Sequence, residues 1–242
     1  MREITDLMDN REGGSETLAR NYCFILAKRI GLTHFLMFED DYRNIAFRWA
    51  LKKPRGWVLA THKVRALDMI FDAMLDFLDS TDVFTICFSQ AGDFIGGVES
   101  FIRWKNKTRK AMNSFFLRVD RPFKFQGRMN DDVNTYVNEG SRGALFMTVR
   151  DVSVDQQITQ SNKGGLTDMY LQNGTYVKSF YSVICQPSCC SLIMMQANHK
   201  RIHHQVEFDY CVPKILSEDC KKSSNRIVPI VQEYGFNEGS RL

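Results

Sequence analysis

The sequence has no long hydrophobic run and no sign of a disulfide framework. No segment reaches the roughly 18 consecutive apolar residues that a membrane helix needs, and the first ten residues are too charged for a secretory signal peptide. Seven cysteines, an odd number in a chain of 242 residues, indicate reduced thiols. We therefore expect a cytoplasmic protein that neither spans nor binds a membrane.

Internal repeats, low-complexity tracts and an interdomain linker are also missing. Hydrophobic residues make up 44% of the chain and charged residues 25%, which is close to average globular usage and excludes a disordered tail. The length allows one main core. We predict one domain over residues 1–216 and a polar tail over residues 217–242.

The net charge of +4 is mildly basic and is compatible with a polyanionic partner. One stretch concentrates positive charge around Trp104. It is either a patch that faces phosphates or a solvated loop, and the sequence does not separate the two. The stretch contains Arg103, Lys105, Lys107, Arg109 and Lys110.

The first secondary-structure signal is a helix followed directly by a strand. Ser15 is a plausible N-cap, apolar residues then recur at helical spacing, and Gly31 ends the pattern. The short apolar run from His34 to Phe38 predicts a buried strand that ends in three acids. The apolar residues of the predicted amphipathic helix are Leu18, Tyr22, Ile25, Leu26 and Ile30.

The rest of the chain alternates between the two periodicities. Residues 57–60 predict a strand, and Thr61 is a candidate cap for a helix that reaches Leu78. Residues 131–138 predict a short helix, and residues 175–184 fit a helix or a strand, of which we favour the helix. This order predicts a layered α/β domain. Further strands are predicted at residues 83–88, 115–119, 146–154, 191–196 and 201–208.

The acidic triplet Glu39-Asp40-Asp41 ends the first predicted strand. Three adjacent carboxylates repel one another, and a divalent cation offsets that repulsion. Carboxylate oxygens suit Mg²⁺ or Mn²⁺, which keep open positions for the phosphates of a bound nucleotide. The triplet is therefore a metal site, or else a solvated turn or a cap for a following helix.

The segment upstream of the triplet favours the metal site. Residues 13–21 read GGSETLARN, and this segment, a helix, a hydrophobic strand and the acidic triplet together resemble the nucleotide-sugar half of GT-A glycosyltransferases. The resemblance implies an α/β fold with a mixed sheet flanked by helices. It also implies that Gly14, Arg20 and Asn21 approach the nucleotide, while Glu39 and Asp41 hold the metal.

A second acidic cluster follows at Asp131-Asp132, at a predicted strand-to-helix junction. Inverting GT-A enzymes place an acidic pair there, and one carboxylate removes the proton of the acceptor hydroxyl. The resemblance implies Asp132 as that base and Asp131 as an orienting or substrate-binding neighbour. Alternatively, two acids favour the amino end of a helix through its dipole.

A third element lies in the predicted strand that contains His203 and His204. Many GT-A enzymes complete the metal shell with a late histidine, and neighbours in a strand face opposite ways. We choose His203 as this ligand. A competing hypothesis places a structural zinc at Cys185, Cys189, His199 and His203, with spacing that is shorter than in a zinc finger.

Longer strings narrow the resemblance within the GT-A enzymes. Residues 164–170 (GGLTDMY), 173–181 (NGTYVKSFY) and 201–204 (RIHH) look like the phage and bacterial TET-associated glycosyltransferases, which add sugar to 5-hydroxymethylcytosine in DNA. The resemblance runs from about Gly13 to Leu216. It implies a metal-dependent, inverting transfer from a nucleotide-diphosphate-sugar, such as a UDP-sugar, to DNA.

The amino-terminal end departs from this pattern. A GT-A domain begins with a strand, a helix and a second strand, and such a unit needs roughly 30 residues. Only Met1 to Glu12 precede the glycines, so we expect a GT-A-like domain that lacks its first nucleotide-binding strand. The alternative function is therefore a truncated or degenerate domain that binds DNA or a partner without turnover, or, less favoured, a zinc-stabilised nucleic-acid-binding module.

Overall fold

The computed structural model describes residues 16–104, 109–156, 174, 176–196 and 200–213. In this part of the chain no helix is long and apolar enough to cross a membrane. The helices are α1 (Glu16–Arg29), α2 (Leu67–Ser80), α3 (Val98–Ile102), α4 (Asp131–Ser141) and α5 (Val177–Cys185). The strands are β1 (His34–Phe38), β2 (Tyr42–Lys53), β3 (Gly56–Lys63), β4 (Thr85–Gln90), β5 (Ser114–Arg118), β6 (Phe146–Gln156), β7 (Cys190–Gln196) and β8 (Lys200–Val206).

The main sheet has six strands in the order β1-β5-β4-β6-β2-β3. β4 and β6 are parallel, and the other neighbours are antiparallel. This mixed sheet flanked by helices confirms the predicted α/β class. The predicted buried strand β1 is instead an edge strand, and its residues are half-buried or exposed because only β5 pairs with it.

The sheet is curled, and the curl positions the acidic triplet. Three residues connect β1 to β2, although three strands lie between them in the pairing order. The four Cα steps from Phe38 to Tyr42 span at most about 15 Å, whereas four strand spacings in a flat sheet cover about 19 Å. The curl brings Glu39 to the end of β6, where Gln156 Nε2 lies 3.3 Å from Glu39 Oε2.

Helices cover both faces of the sheet because successive side chains of β4 and β5 alternate between them. Cys87 and Phe115 point to the face that α1 and α4 cover. Ile86 and Phe116 point to the opposite face, which α2 covers through Met74 and Leu78. The acids of the predicted site lie at the end of the sheet on the side of α1 and α4.

Helix α1 does not bury the apolar residues whose spacing predicted it. The buried positions are Thr17, Arg20, Phe24 and Ala27, two of them polar. The apolar stripe faces outward because the polar face of the helix contacts the loop before α4, as described below. The exposed members of the stripe are Leu18, Tyr22, Ile25, Leu26 and Ile30.

Two further elements differ from the sequence predictions. β2 was not predicted, because cationic residues interrupt its apolar alternation. Thr61 lies inside β3 instead of capping a helix, and α2 starts six residues later at Leu67 without a side-chain cap. The other predicted elements are present, including the helix over residues 177–185 and the hairpin of β7 and β8.

Candidate functional site

The polar face of α1 binds the loop that leads into α4. Thr17 Oγ1 donates a hydrogen bond to the carbonyl of Gly127. The Asn21 side-chain amide donates to the Phe125 carbonyl at 3.1 Å and accepts from the Phe125 N–H at 2.8 Å. These bonds fix residues 125–127 against the helix. The Asn21 amide is thus engaged with the backbone, and its contact with a nucleotide stays a prediction.

Arg20 joins the two acidic clusters that the sequence predicted separately. Its Nη1 donates to Asp131 Oδ2 at 2.9 Å, and its Nη2 donates to Glu39 Oε1 at 2.6 Å. Glu16, one helical turn earlier, also forms an ion pair with Nη2. The guanidinium therefore holds the end of β1 against the start of α4, and a direct contact between Arg20 and a phosphate stays a prediction.

Aromatic rings shield this ion-pair cluster from water. The guanidinium carbon of Arg20 lies 5.5 Å from the ring centre of Phe115 and 5.3 Å from that of Phe125, and Arg20 is 5% exposed. Burial lowers the pKa of Arg20, but the nearby carboxylates, Asp131 first, outweigh it and raise the pKa above its ordinary value. Arg20 is thus a permanent cation.

Several carboxyl groups surround this one cation, and the pKa values of three of them are raised. Burial is the largest cause that raises the pKa of Glu39, against the opposing effect of Arg20, while Glu16, Asp132 and Asp41 raise it further. Burial also raises the pKa of Asp131 and of Asp132, and Arg20 opposes both shifts. The site thus holds more acidic groups than cations, and a bound cation would favour their ionised forms.

Asp132 is the second residue of α4 and is 6% exposed. Its Oδ1 accepts a hydrogen bond from the Val133 N–H at 2.7 Å. The N-cap residue of the helix, Asn130, adopts a left-handed backbone conformation with φ 51° and turns the chain into the helix. Asp131 and Asp132 therefore both lie in the first turn, where the helix dipole also favours carboxylates. The dipole alternative and a chemical role are compatible, since the same position serves both.

Asp41 is the carboxylate with free capacity to bind a metal. Its Oδ1 is buried and has no hydrogen-bond partner, whereas both oxygens of Glu39 are engaged by Arg20 and Gln156. Asp40 is exposed. An orphaned buried carboxylate oxygen beside other acidic groups fits a hard divalent cation. Within the described residues, no group of three or more His, Cys, Asp and Glu side chains is already arranged to hold a metal.

Of the two adjacent histidines, His204 contacts the loop that leads into α4. Its Nδ1 lies 3.3 Å from Asn130 Nδ2, next to the Asp131-Asp132 pair. Nδ1 of the predicted His203 instead lies 2.7 Å from the carbonyl oxygen of His204. Burial lowers the pKa of His204 to about 3, so its imidazole is neutral. A metal role for His203 stays a prediction. Of the two histidines, His204 is the one in contact with Asn130.

The remaining predicted positions divide in two. Gly14 and His199 lie outside the described residues. Cys189, one of the four residues in the zinc hypothesis, donates its thiol proton to the Tyr210 carbonyl at 3.2 Å and is buried among apolar residues. A thiol that is used in this way supports packing instead of a structural zinc.

Three of the described residues in the basic stretch around Trp104, namely Trp104, Arg109 and Lys110, contact the protein interior. Trp104 is 6% exposed and stacks on Phe94 with ring centres 5.6 Å apart. Arg109 donates to the carbonyls of Phe208 and Cys211, and Lys110 forms an ion pair with Asp93 at 2.6 Å. Lys105 and Lys107 lie outside the described residues. The aromatic side chain is core, and two of the cations are engaged inside the protein.

Comparison with protein families identifies the arrangement. The family model TET-Associated Glycosyltransferase matches residues 6–165, about two thirds of the sequence. The chain belongs to this family. The matched segment contains Arg20, both acidic clusters and the curled sheet that joins them. No curated protein and no solved structure matched the chain.

Two contributors to the site, Glu16 and Gln156, escaped the sequence reasoning, and a third, His204, is the histidine that it named but did not choose. Glu16 precedes Arg20 by four residues, a spacing at which oppositely charged side chains pair on a helix, so its ion pair was predictable. Gln156 reaches Glu39 only through the curl of the sheet, and no local pattern indicates this. His204 faces Asn130 because of the register of the β7–β8 hairpin, in which His204 pairs with Leu192.

Proposed function

We propose that this glycosyltransferase moves a sugar from a nucleotide-diphosphate-sugar to the hydroxyl of 5-hydroxymethylcytosine in DNA, with inversion at the anomeric carbon. The observation that carries the proposal is the Arg20 bridge, which places the Glu39-Asp41 turn beside Asp131 and Asp132. A donor diphosphate at the first cluster would lie next to a base at the second. Membership of the family supports the same reaction class.

Asp132 is the proposed general base. The acceptor hydroxyl oxygen attacks the anomeric carbon, the bond from that carbon to the diphosphate oxygen breaks, and the hydroxyl proton passes to the Asp132 carboxylate. A base works best when its pKa approaches the working pH. Burial raises the pKa of Asp132 and moves it in that direction.

Asp131 and Arg20 orient the base. The bond from Arg20 Nη1 to Asp131 Oδ2 holds the first turn of α4. The hydrogen bond from the Val133 N–H to Asp132 Oδ1 leaves Asp132 Oδ2 as the oxygen that receives the proton. Misplacing a catalytic group by about 1 Å costs roughly 100-fold in rate, so such support is part of the mechanism.

Asp41, with Glu39 beside it, would hold Mn²⁺ or Mg²⁺, which supplies positive charge to the departing diphosphate. Asp41 Oδ1 offers the free oxygen for this bond. Arg20 and Gln156 fix the orientation of Glu39 through their hydrogen bonds to its two oxygens. The donor and the metal thus approach the site from the β1–β2 turn.

The test is sugar transfer from labelled UDP-sugars to DNA that contains 5-hydroxymethylcytosine, in the presence of Mn²⁺, by the wild type and by Asp132→Asn. Removal of a general base lowers the rate by about 10²–10⁴-fold. Asp68→Asn, an exposed acid in the first turn of α2, is the matched control and should retain the wild-type rate.

Transfer that persists in Asp132→Asn would remove this residue as the base. If no donor supports transfer by the wild type, while the protein still binds DNA, the result would favour the domain that binds without turnover.

A further inference from the structure

The β2–β3 hairpin concentrates the positive charge of the protein. From Tyr42 to Ala66, which covers the hairpin and the three residues after it, the chain contains seven of the 32 Lys and Arg residues and none of the 28 Asp and Glu residues. The positive charge of this segment alone exceeds the net charge of +4 for the whole chain. The cations are Arg43, Arg48, Lys52, Lys53, Arg55, Lys63 and Arg65.

Six of these seven cations are exposed, the exception being the half-buried Arg48, whose Nε donates to Ser153 Oγ at 2.6 Å. Within the parts of the chain that the structure describes, none of the six exposed cations forms an ion pair. This contrasts with Lys110 and Arg118, which pair with Asp93 and Asp120. The hairpin therefore presents exposed positive charge that is not paired with an acid among the described residues.

Aromatic side chains accompany this charge. Two of the three tryptophans of the chain lie on the hairpin, Trp49 with 40% and Trp57 with 51% of its surface exposed. Trp57 pairs with Lys52 across the strands, and Lys53 pairs with Gly56 next to the Pro54-Arg55 turn. Basic side chains beside exposed aromatic rings are the combination that binds phosphates and stacks on bases.

The hairpin is supported from below, so its outer end does not depend on a partner for its shape. Ala50 and Leu59 pack against Phe94, Phe101 and Trp104. The sequence left Trp104 in either a phosphate-facing patch or a solvated loop, whereas the structure buries it beneath the hairpin, which it supports. The hairpin also starts at the site, because Tyr42 directly follows Asp41.

We infer that the β2–β3 hairpin is the surface that binds the DNA acceptor and leads it to the site. This inference rests on the proposed function, since it assigns a surface to the proposed acceptor. The twelve residues of β2 extend over about 36 Å, roughly one turn of duplex DNA. A two-stranded ribbon of this kind fits the major groove or follows the phosphate backbone.

The test compares the binding of an unmodified duplex oligonucleotide, without sugar donor, to two variants that lose the same charge. The hairpin variant is Lys52→Gln/Lys53→Gln/Arg55→Gln, and the control is Lys28→Gln/Arg29→Gln/Arg142→Gln, whose residues are also exposed. Loss of three phosphate contacts should lower the slope of log affinity against log salt by about 2.7. The affinity at low salt should fall by about tenfold or more.

Tryptophan emission gives a second measurement, which reports stacking on bases and not charge. Stacking on bases should quench the emission of the wild type when the duplex is added. Trp57→Phe should lose part of that quenching while it keeps the salt dependence of the wild type.

Equal affinity and equal salt dependence of the two triple variants would overturn the inference. So would binding of the hairpin to vesicles of anionic lipid with no binding to DNA, since this would assign the surface to a membrane. Hydrolysis of the sugar donor in the absence of DNA measures turnover independently of DNA binding, and therefore separates the two proposals. An active wild type whose hairpin does not bind DNA overturns only this inference, and an inactive wild type that binds DNA through the hairpin overturns only the proposed transfer.

Discussion

Arg20 Nη1 and Asp131 Oδ2 lie 2.9 Å apart, and this bond connects α1 to the first turn of α4 across 111 positions of sequence. Arg20→Met should destabilise the fold, because it leaves Asp131 buried without its cation and Glu39 without its hydrogen-bond donor. Breaking a buried ion pair by removing one partner costs about 3–5 kcal/mol. Urea unfolding at pH 8 measures the loss.

The control for this substitution is Arg142→Met. Arg142 is exposed and forms a single ion pair with Glu139 at 3.4 Å, so its replacement should cost no more than about 1 kcal/mol. The double variant Arg20→Met/Asp131→Asn should recover part of the stability that Arg20→Met loses. If Arg20→Met were as stable as the control, the bridge would have no structural role.

The raised pKa of Glu39 predicts how stability depends on pH. Burial is its main cause and raises this pKa to about 9, so the folded state keeps a proton that the unfolded state loses above about pH 4.5. Stability should then fall as the pH rises from 7 towards 8.5, by up to about 1.4 kcal/mol per pH unit. This window lies above the pKa of unfolded histidine but reaches that of unfolded cysteine, about 8.5, so the contribution of Glu39 is the difference between the wild type and a variant without its carboxyl group.

Glu39→Gln should flatten that dependence, because the amide has no proton to lose. The measurement is urea unfolding in the presence of a chelator at several pH values from 7 to 8.5. Glu99→Gln, at an exposed position, serves as the matched control and should retain the wild-type slope. The same slope in Glu39→Gln as in the wild type would show that other groups cause the pH dependence.

The free oxygen of Asp41 predicts how the chain binds Mn²⁺. Asp41→Asn should lower the affinity by about tenfold or more, since even the loss of a residue that supports a metal ligand costs about 10–100-fold. Asp40→Asn, one residue away and exposed, should bind Mn²⁺ like the wild type. Titration calorimetry without nucleotide or DNA measures both affinities. Equal affinities in the two variants would remove Asp41 as a ligand.

Hydrophobic periodicity predicted the elements of this fold better than their orientation. The spacing of Leu18, Tyr22 and Ile25 identified α1 as a helix, yet those residues are exposed and Arg20 is buried. Periodicity measures the composition of each face and carries no information about a polar partner. Here the carboxylates at Glu39 and Asp131, both distant in sequence, decide which face turns inward.

The same distinction holds for the site. The two acidic clusters were visible as local patterns, and the family resemblance assigned them to one reaction. Their contact through Arg20, the approach of Gln156 and the position of His204 depend on the curl of the sheet and on the register of a hairpin. Such tertiary relationships leave no local trace in a single sequence.

Gly127 gives a final prediction about the loop that carries the acids. Its φ of +86° disfavours any residue with a Cβ, and an added Cβ would lie 2.7 Å from both Asn134 Nδ2 and Tyr181 Cε1. Gly127→Ala should therefore cost about 2–4 kcal/mol, from the backbone strain and the overpacking together. Gly31→Ala separates these causes, because Gly31 has a φ of +78° and open space around it. It should cost only about 1 kcal/mol.

Since Gly127 also accepts the bond from Thr17, its replacement should slow sugar transfer in the fraction that remains folded. Gly31→Ala should leave the transfer rate unchanged, and equal effects of the two substitutions on stability and rate would show that the close contacts at Gly127 do not matter.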